Sequence, residues 1–226
     1  MLRIVFLCSG GGGNLRFVSE AIRLRALENA EICGVITDRA CPAGLFAKQN
    51  DIPLFLCDFS EKDQLGVSNK LADLCPGIIV SNVHKILSPR VVDMFRGKLI
   101  NLHYSLLPAF AGVIGAKALN QALEYGVQIV GTTVHFVDNL VDSGSPLVQA
   151  AIPVNHGDEI QDLMNVVFRV GCISLLTGMQ LIREDRRTAL GERCSPIEIL
   201  GHSVLLNPAA ASFPQIQDES FWERLR

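Results

Sequence analysis

The chain has 226 residues, of which 49% are hydrophobic, and its 20 basic and 23 acidic side chains give a formal net charge of −3. Because disordered chains are poor in apolar residues and carry a high net charge, this composition excludes disorder over most of the length. The acidic balance also argues against a nucleic-acid partner, since proteins that bind nucleic acids neutralise phosphates with clustered Lys and Arg side chains.

Cysteine spacing and the lengths of the apolar runs exclude two further classes. The seven cysteines form no Cys-x-x-Cys pair, and structural zinc sites draw their ligands from such pairs, so we expect free thiols and no metal site. Glycines from Gly10 onward interrupt the first apolar run too early for a signal peptide, and no run has the length of a membrane-spanning helix. The sequence therefore predicts a cytoplasmic protein without a membrane partner.

Short apolar runs alternate with helical patterns along the chain. Five runs are predicted to be buried strands: residues 2–8, 32–37, 53–57, 78–81 and about 98–103. Helices are predicted between the first two runs and over 61–74, 88–96, 116–126 and 158–182, with a long strand over 129–137. This alternation predicts an α/β fold with a mostly parallel central sheet and helices on both faces.

The pattern changes after residue 182. A charged cluster begins at Arg183, and the remaining chain mixes short apolar groups with three prolines. We therefore predict one domain over residues 1–182 and a peripheral extension of the same domain over 183–226.

Four consecutive glycines separate the first predicted strand from the first predicted helix. Glycine lets the backbone approach a ligand closely, and a helix amino terminus presents unpaired N–H groups to an anion. The loop lacks the Lys of an ATP-binding loop, and Leu15 stands where a dinucleotide-binding loop needs glycine. A tight turn without a ligand is the alternative, but the position at the carboxyl end of a strand favours a site for a phosphate or carboxylate.

Polar side chains follow the fifth and sixth predicted strands. Asn101 and His103 lie on one face of the fifth strand, because side chains alternate along a strand. The loop after the sixth strand contains Asp142, and a carboxylate beside an imidazole orients it and stabilises its charged form. His135, in the sixth strand, is expected to make a structural hydrogen bond.

Two segments that contain these residues resemble the signatures of a known family. They are INLHYSLLPAFAG at 100–112 and GTTVHFVDNLVDSGSPLVQ at 131–149, and they are similar to the signature segments of the formyltetrahydrofolate-dependent formyltransferases. The stretches FLCSGGGGNL at 6–15 and KILSP at 85–89 further resemble the branch of that family that formylates glycinamide ribonucleotide. The resemblance extends over roughly residues 2–182.

The resemblance implies a Rossmann-like formyltransferase fold and 10-formyltetrahydrofolate as the co-substrate. Asn101, His103 and Asp142 match the catalytic trio of the family. An amine would attack the formyl carbon, Asn101 and protonated His103 would stabilise the oxyanion, and Asp142 would keep His103 charged and oriented.

The resemblance also assigns two binding regions within the predicted domain. Folate is expected between residues 85–92 and 137–142, at Lys85, Ile86, Leu87, Val92, Val137, Asp138, Asn139, Leu140 and Val141. The phosphate of the amine substrate is expected at Gly11, Gly12, Gly13 and Asn14.

The acceptor side departs from the family pattern. The segment AGVIGAKA at 111–118 is longer than its usual counterpart and carries Lys117, and Val170 lies near the position of an acidic residue in the family. The glycine loop favours glycinamide ribonucleotide, in purine biosynthesis, as the acceptor. A different small amine or amino sugar, hydrolysis of formyltetrahydrofolate, and a homodimeric state stay open.

Overall fold

The computed structural model describes residues 1–186, 194–209, 213–216 and 218–225, with Ala116 described by its backbone alone. The strands are β1 (Leu2–Cys8), β2 (Ala30–Thr37), β3 (Leu54–Leu56), β4 (Ile78–Asn82), β5 (Leu99–His103), β6 (Ile129–Phe136), β7 (Pro146–Pro153), β8 (Ser195–Ile199) and β9 (His202–Asn207). The helices are α1 (Gly13–Arg23), α2 (Pro42–Gln49), α3 (Leu65–Leu74), α4 (Pro89–Met94), α5 (Ala116–Tyr125), α6 (Ile160–Arg183) and α7 (Glu219–Glu223).

The chain forms two compact units. The first comprises Met1–Asn101, Val137–Asn139 and Ser212–Arg226, and the second comprises Leu102–Phe136 and Leu140–Ala211. None of these boundaries coincides with the predicted division at residue 182. The predicted extension over 183–226, of which residues 187–193, 210–212, 217 and 226 lie outside the described residues, contributes elements to both units.

The first unit is built on a parallel sheet buried on both faces. Its strands lie in the order β3-β2-β1-β4-β5 and run parallel, and β5 contributes its residues up to Asn101. Val5 and Leu7 of β1 belong to one apolar cluster with residues of α3 and α4. The alternate residues Ile4 and Phe6 point to the opposite face and are also fully buried. Burial on both faces accounts for the continuous apolar runs from which these strands were predicted.

The second unit is built on antiparallel strands and one long helix. Its strands lie in the order β6-β7-β9-β8, and each neighbouring pair is antiparallel. Helix α6 packs across β6 and β7. Gly178 of α6 allows close approach of Val134, because a Cβ at position 178 would lie 3.1 Å from Val134 Cγ1.

Helix α6 is long and apolar enough to cross a membrane by length and composition alone. However, 83% of its apolar 18-residue segment is buried inside the structure, as in the core helix of a soluble protein. The sequence analysis found no apolar run of this length, because polar residues such as Asn165 and Arg169 interrupt the helix.

The carboxyl-terminal helix α7 packs on the first unit. The Trp222 ring stacks on Phe17 with ring centroids 5.6 Å apart, and Phe221 meets Phe17 edge-on at the same distance. Trp222 Nε1 donates a hydrogen bond to the Ile216 carbonyl at 2.9 Å. Because of these aromatic contacts, the end of the predicted extension belongs to the core of the first unit.

Several predicted elements differ in their limits, and others were missed. Helix α3 begins at Leu65 rather than residue 61, and β3 covers only Leu54–Leu56. Helix α2 begins with Pro42, but its cap Cys41 is not one of the usual capping residues and makes no side-chain capping hydrogen bond with a described residue. Strand β7 is bounded by a proline at each end, which conceals it in the sequence.

The attachment of α7 generates a prediction about pH. Glu20 of α1 accepts hydrogen bonds from Arg23 at 2.6 Å and from Arg224 at 2.7 Å, and chiefly the bond from Arg23 lowers the pKa of its carboxyl below the ordinary 4.5. A lowered folded-state pKa contributes stability that is present above the unfolded-state pKa and is lost as pH falls through the folded-state pKa. We expect Glu20→Gln to lower the free energy of unfolding at pH 7 by about 0.5–1 kcal/mol, and this difference to vanish in acid.

Urea unfolding of wild type and variant at neutral pH and at about pH 3 measures this difference. Glu124→Gln serves as a control, because Glu124 is exposed on α5 and has no ion pair with any described residue. A Glu20→Gln effect that is unchanged in acid would contradict the role of the carboxylate.

Candidate active site

His103 ends β5 and is buried, with 5% of its surface exposed. Its Nδ1 lies 3.3 Å from Asp142 Oδ2, and its Nε2 lies 3.1 Å from the Phe110 carbonyl oxygen. Each ring nitrogen therefore faces an oxygen atom, and because a carbonyl oxygen can only accept, Nε2 donates to Phe110. The geometry thus holds the imidazole between a carboxylate and a carbonyl group.

Asp142 lies in the loop between β6 and β7, with 11% of its side chain exposed. Its backbone has φ of 54°, in the left-handed region that Asp adopts more readily than most residues. Its Oδ2 accepts a hydrogen bond from Gly112 N at 2.8 Å. The carboxylate is therefore fixed by the loop that follows β5 as well as by His103.

His135 is a second imidazole beside the same carboxylate. It is 2% exposed on β6, and its Nε2 lies 3.6 Å from Asp142 Oδ1, an ion-pair distance rather than a direct hydrogen bond. Its Nδ1 lies 2.8 Å from the Phe136 carbonyl oxygen, to which it donates. The expected structural hydrogen bond is therefore present, and the sequence analysis missed that the opposite edge of this ring faces Asp142.

Asn101 is the last residue of the first segment of the first unit and lies on β5, two residues before His103. Its side chain is half-buried. The strand neighbours Ile100 and Leu102 are buried and anchor this part of β5. The role of Asn101 in oxyanion stabilisation stays a prediction.

The glycine loop opens α1 in a conformation that requires glycine, and its binding of an anion stays a prediction. Gly12 caps α1 with φ of 75°, and no described side chain caps this helix terminus. A Cβ on Gly12 would lie 2.8 Å from Ala43 Cβ, so both the conformation and the close contact require glycine there. By contrast, no described atom lies within 4 Å of a Cβ placed on Gly11. Gly13 and Asn14 form the first turn of α1, where backbone N–H groups lack helical acceptors.

Cys8 stands immediately before this loop but has the properties of a packing residue. It is 1% exposed, and burial, with a smaller contribution from nearby Cys41, raises the pKa of its thiol to about 12. A thiol in this state is not a nucleophile at neutral pH.

Residues predicted to bind folate in the first unit gather at one apolar cluster. Leu87 and Val92 are buried members of this cluster, and Val137 packs against it. Val92 is 1% exposed, so it belongs to the core of the unit. Ile86 is 74% exposed and Lys85 is also exposed, so these two side chains are accessible to a ligand.

The segment 138–141 continues from this cluster into the loop that contains Asp142. In the first unit, Asp138 is half-buried and Asn139 Nδ2 donates to Asp93 Oδ1 at 3.2 Å. In the second unit, Leu140 and Val141 are 72% and 53% exposed. Exposed apolar side chains next to a buried carboxylate are typical of a ligand site, and the assignment of these residues to folate stays a prediction.

Residues 2–177 match the family model described as formyl transferase. The chain belongs to the formyl transferase family. It is 36% identical over 169 residues to the phosphoribosylglycinamide formyltransferase of Mycobacterium tuberculosis, a match that covers 71% of this chain and 75% of that protein.

Solved structures agree with this assignment. The formyltransferase is similar to glycinamide ribonucleotide transformylase 1 from Symbiobacterium toebii, with a TM-score of 0.76, 29% identity and coverage of 84% of this chain and 92% of that one. It also resembles a formyltetrahydrofolate deformylase from Pseudomonas syringae, with a TM-score of 0.71, 24% identity and coverage of 90% and 65%. The second likeness concerns the fold alone. The predicted family and its Rossmann-like fold are confirmed.

The contact between His135 and Asp142 generates a prediction for this formyltransferase. In His135→Asn the side-chain amide lies near the position of Nδ1, and no atom occupies the position of Nε2. In His135→Gln the longer side chain places its amide near the position of Nε2. We expect the Asn variant to lose on the order of tenfold in kcat, equivalent to about 1.4 kcal/mol, and the Gln variant to lose less. Steady-state kinetics measures this difference, with thermal unfolding as the control for stability. Equal kcat in the two variants would contradict a role for Nε2.

Proposed function

We propose that this formyltransferase moves the formyl group of 10-formyltetrahydrofolate to the amine of glycinamide ribonucleotide. The observation that carries the transfer chemistry is the buried pair of His103 and Asp142, in which both ring nitrogens face acceptors. The names of the relatives, phosphoribosylglycinamide formyltransferase and glycinamide ribonucleotide transformylase, support the acceptor. Such a reaction belongs to purine biosynthesis, which the name of a trifunctional human relative also states.

The proposed reaction proceeds by attack of the acceptor amine on the formyl carbon. A tetrahedral intermediate forms, and its oxyanion accepts hydrogen bonds from His103 Nε2 and from the amide of Asn101. The folate N10 then leaves as the C–N bond to the formyl carbon breaks, and it takes up a proton while the attacking amine loses one. Asp142 holds the charge and the orientation of His103 throughout.

His103 must exchange one acceptor for another in this scheme. In the structure its Nε2 donates to the Phe110 carbonyl. The formyl oxygen replaces that carbonyl when substrate binds, and it becomes the stronger acceptor as negative charge develops on it.

The glycine loop supplies the proposed site for the acceptor phosphate. Gly12 leaves the amino terminus of α1 without a side-chain cap among the described residues, so backbone N–H groups are available to an anion. Folate is proposed to contact the exposed side chain of Ile86 in the first unit, with the exposed Lys85 near its anionic tail. We infer that the protein acts in the cytoplasm on small-molecule substrates.

The first experiment is an activity assay on the purified protein. Incubation with 10-formyltetrahydrofolate, with and without glycinamide ribonucleotide, is followed through the deformylated folate. Acceleration by the nucleotide supports the proposal. Folate binding without acceleration would indicate a different amine, and rapid formation of formate without an acceptor would indicate a hydrolase.

His103→Asn tests the catalytic assignment. We expect kcat to fall by a factor of at least about 10², because the side chain acts as an acid and as an oxyanion donor in the transition state. The dissociation constant for a non-transferable folate analogue should change little, since the effect lies on the transition state. His156→Asn is the matched control, because His156 is exposed outside this site. Turnover of the His103 variant at the wild-type rate would exclude the mechanism.

Gly11→Asp and Gly11→Asn together test the phosphate loop. The two side chains have nearly the same size, and the new Cβ atom of each meets no described atom within 4 Å apart from its chain neighbours. A carboxylate at an anion site repels phosphate, so we expect KM for the nucleotide to rise at least about tenfold more in the Asp variant. Steady-state kinetics at low salt measures the ratio. The same KM in both variants would mean that the loop binds no anion.

A further inference from the structure

The side chains of strand β6 alternate between two faces with different contacts. Thr132 Oγ1 lies 3.3 Å from Ser174 Oγ of α6, and Val134 contacts Gly178 of the same helix. The alternate residues, starting with Thr133, point to the other face. One face of β6 therefore packs on the core helix, and the other faces the turn that follows β5.

Thr133 uses the full hydrogen-bonding capacity of its hydroxyl on that turn. Its Oγ1 donates to the Ser105 carbonyl at 2.7 Å and accepts from Leu107 N at 3.1 Å. It also accepts from Gln149 Nε2 at 3.3 Å. A hydroxyl offers one donor and two acceptor sites, so all three are occupied. The side chain is fully buried, which makes the loss of any of these partners costly.

Gln149 completes this arrangement from the neighbouring strand. It is the cross-strand partner of Thr133 in the register of β6 and β7. Its Nε2 donates to the Leu107 carbonyl at 3.1 Å in addition to Thr133. Thr133 and Gln149, called here the β6–β7 clamp, thus hold the Ser105 carbonyl and both backbone polar groups of Leu107.

The clamped turn leads directly to the catalytic atoms. Ser105 Oγ donates to the Ala109 carbonyl, which closes the turn. The next residue, Phe110, accepts a hydrogen bond at its carbonyl from His103 Nε2. Gly112 N then donates to Asp142 Oδ2. The backbone between the clamp and these contacts is only a few residues long, so a shift of the turn moves both contacts.

We propose that the β6–β7 clamp positions the turn after β5, and through it the His103–Asp142 pair, for formyl transfer. The proposal rests on the catalytic role of that pair. Thr133 and Gln149 are positioning residues, because their contacts reach backbone groups of the turn and not the reacting atoms. Misplacement of a catalytic group by about 1 Å lowers rate by about 10²-fold, so loss of the clamp acts mainly on kcat.

The test compares three threonine variants. Thr133→Val keeps the volume but removes the hydroxyl, Thr133→Ser restores the hydroxyl, and Thr132→Val removes the neighbouring buried hydroxyl that faces α6. We expect Thr133→Val to lose on the order of 10- to 100-fold in kcat with little change in either KM. Thr133→Ser should recover most of kcat. Thr132→Val should lower the melting temperature while its kcat stays near that of wild type.

Gln149→Met provides a second variant if Thr133→Val folds poorly. It removes both hydrogen bonds that Gln149 donates but leaves the two hydrogen bonds between Thr133 and the turn, so a smaller loss of kcat is expected. The double variant should lose less than the product of the two single losses, because both residues act on the same turn. Wild-type kcat in both single variants, or equal losses in Thr132→Val and Thr133→Val, would overturn the proposal.

A second readout does not depend on the acceptor. The ¹⁵N resonance of His103 Nε2 reports its contact with the Phe110 carbonyl, and we expect it to shift in Thr133→Val but not in Thr132→Val. If the wild-type protein does not formylate glycinamide ribonucleotide, the proposed acceptor is wrong, and the resonance still tests the clamp. An unchanged resonance in Thr133→Val would contradict the clamp itself.

Discussion

The active site depends on a carboxylate that is buried among hydrogen-bond donors. Asp142 has 11% of its side chain exposed, and a carboxylate removed from water is stable only where donors or cations replace its hydration. Gly112 N donates a hydrogen bond to it at 2.8 Å, and two imidazole nitrogens, His103 Nδ1 at 3.3 Å and His135 Nε2 at 3.6 Å, lie at ion-pair distance. The groups that stabilise the carboxylate also fix it in place, so the charge that orients His103 is set by three segments of the second unit.

Strand β6 connects the stability of the second unit with its chemistry. Thr132 and Val134 pack on α6, the buried core helix. Thr133 and His135 face the turn after β5 and the Asp142 carboxylate. Because alternate side chains of one strand share a rigid backbone, the packing on α6 fixes the position of the groups that serve the active site.

The elements that the sequence predicted best are those buried on both faces or marked by strong end signals. The runs of β1 and β4 are continuous apolar segments because helices or strands cover them on every side, and α4 begins with the predicted cap, Ser88, which accepts from Val91 N. Helix α2 has Pro42 in its first turn but no capping side chain among the described residues, and strand β7 is bounded by a proline at each end. Their existence depends on contacts with neighbouring strands, which composition alone does not encode.

The sequence by itself predicted the candidate site: Asn101, His103, Asp142 and the glycine loop are residue types placed after strands, and a local pattern is sufficient to select them as candidates. Tertiary structure alone decided what surrounds them. His135 and Thr133 look like ordinary strand residues, and their roles arise because β6 brings them beside a loop and a turn that are distant in the chain. Side-chain type is a local property, whereas the partners of a buried polar group are set by packing between distant segments.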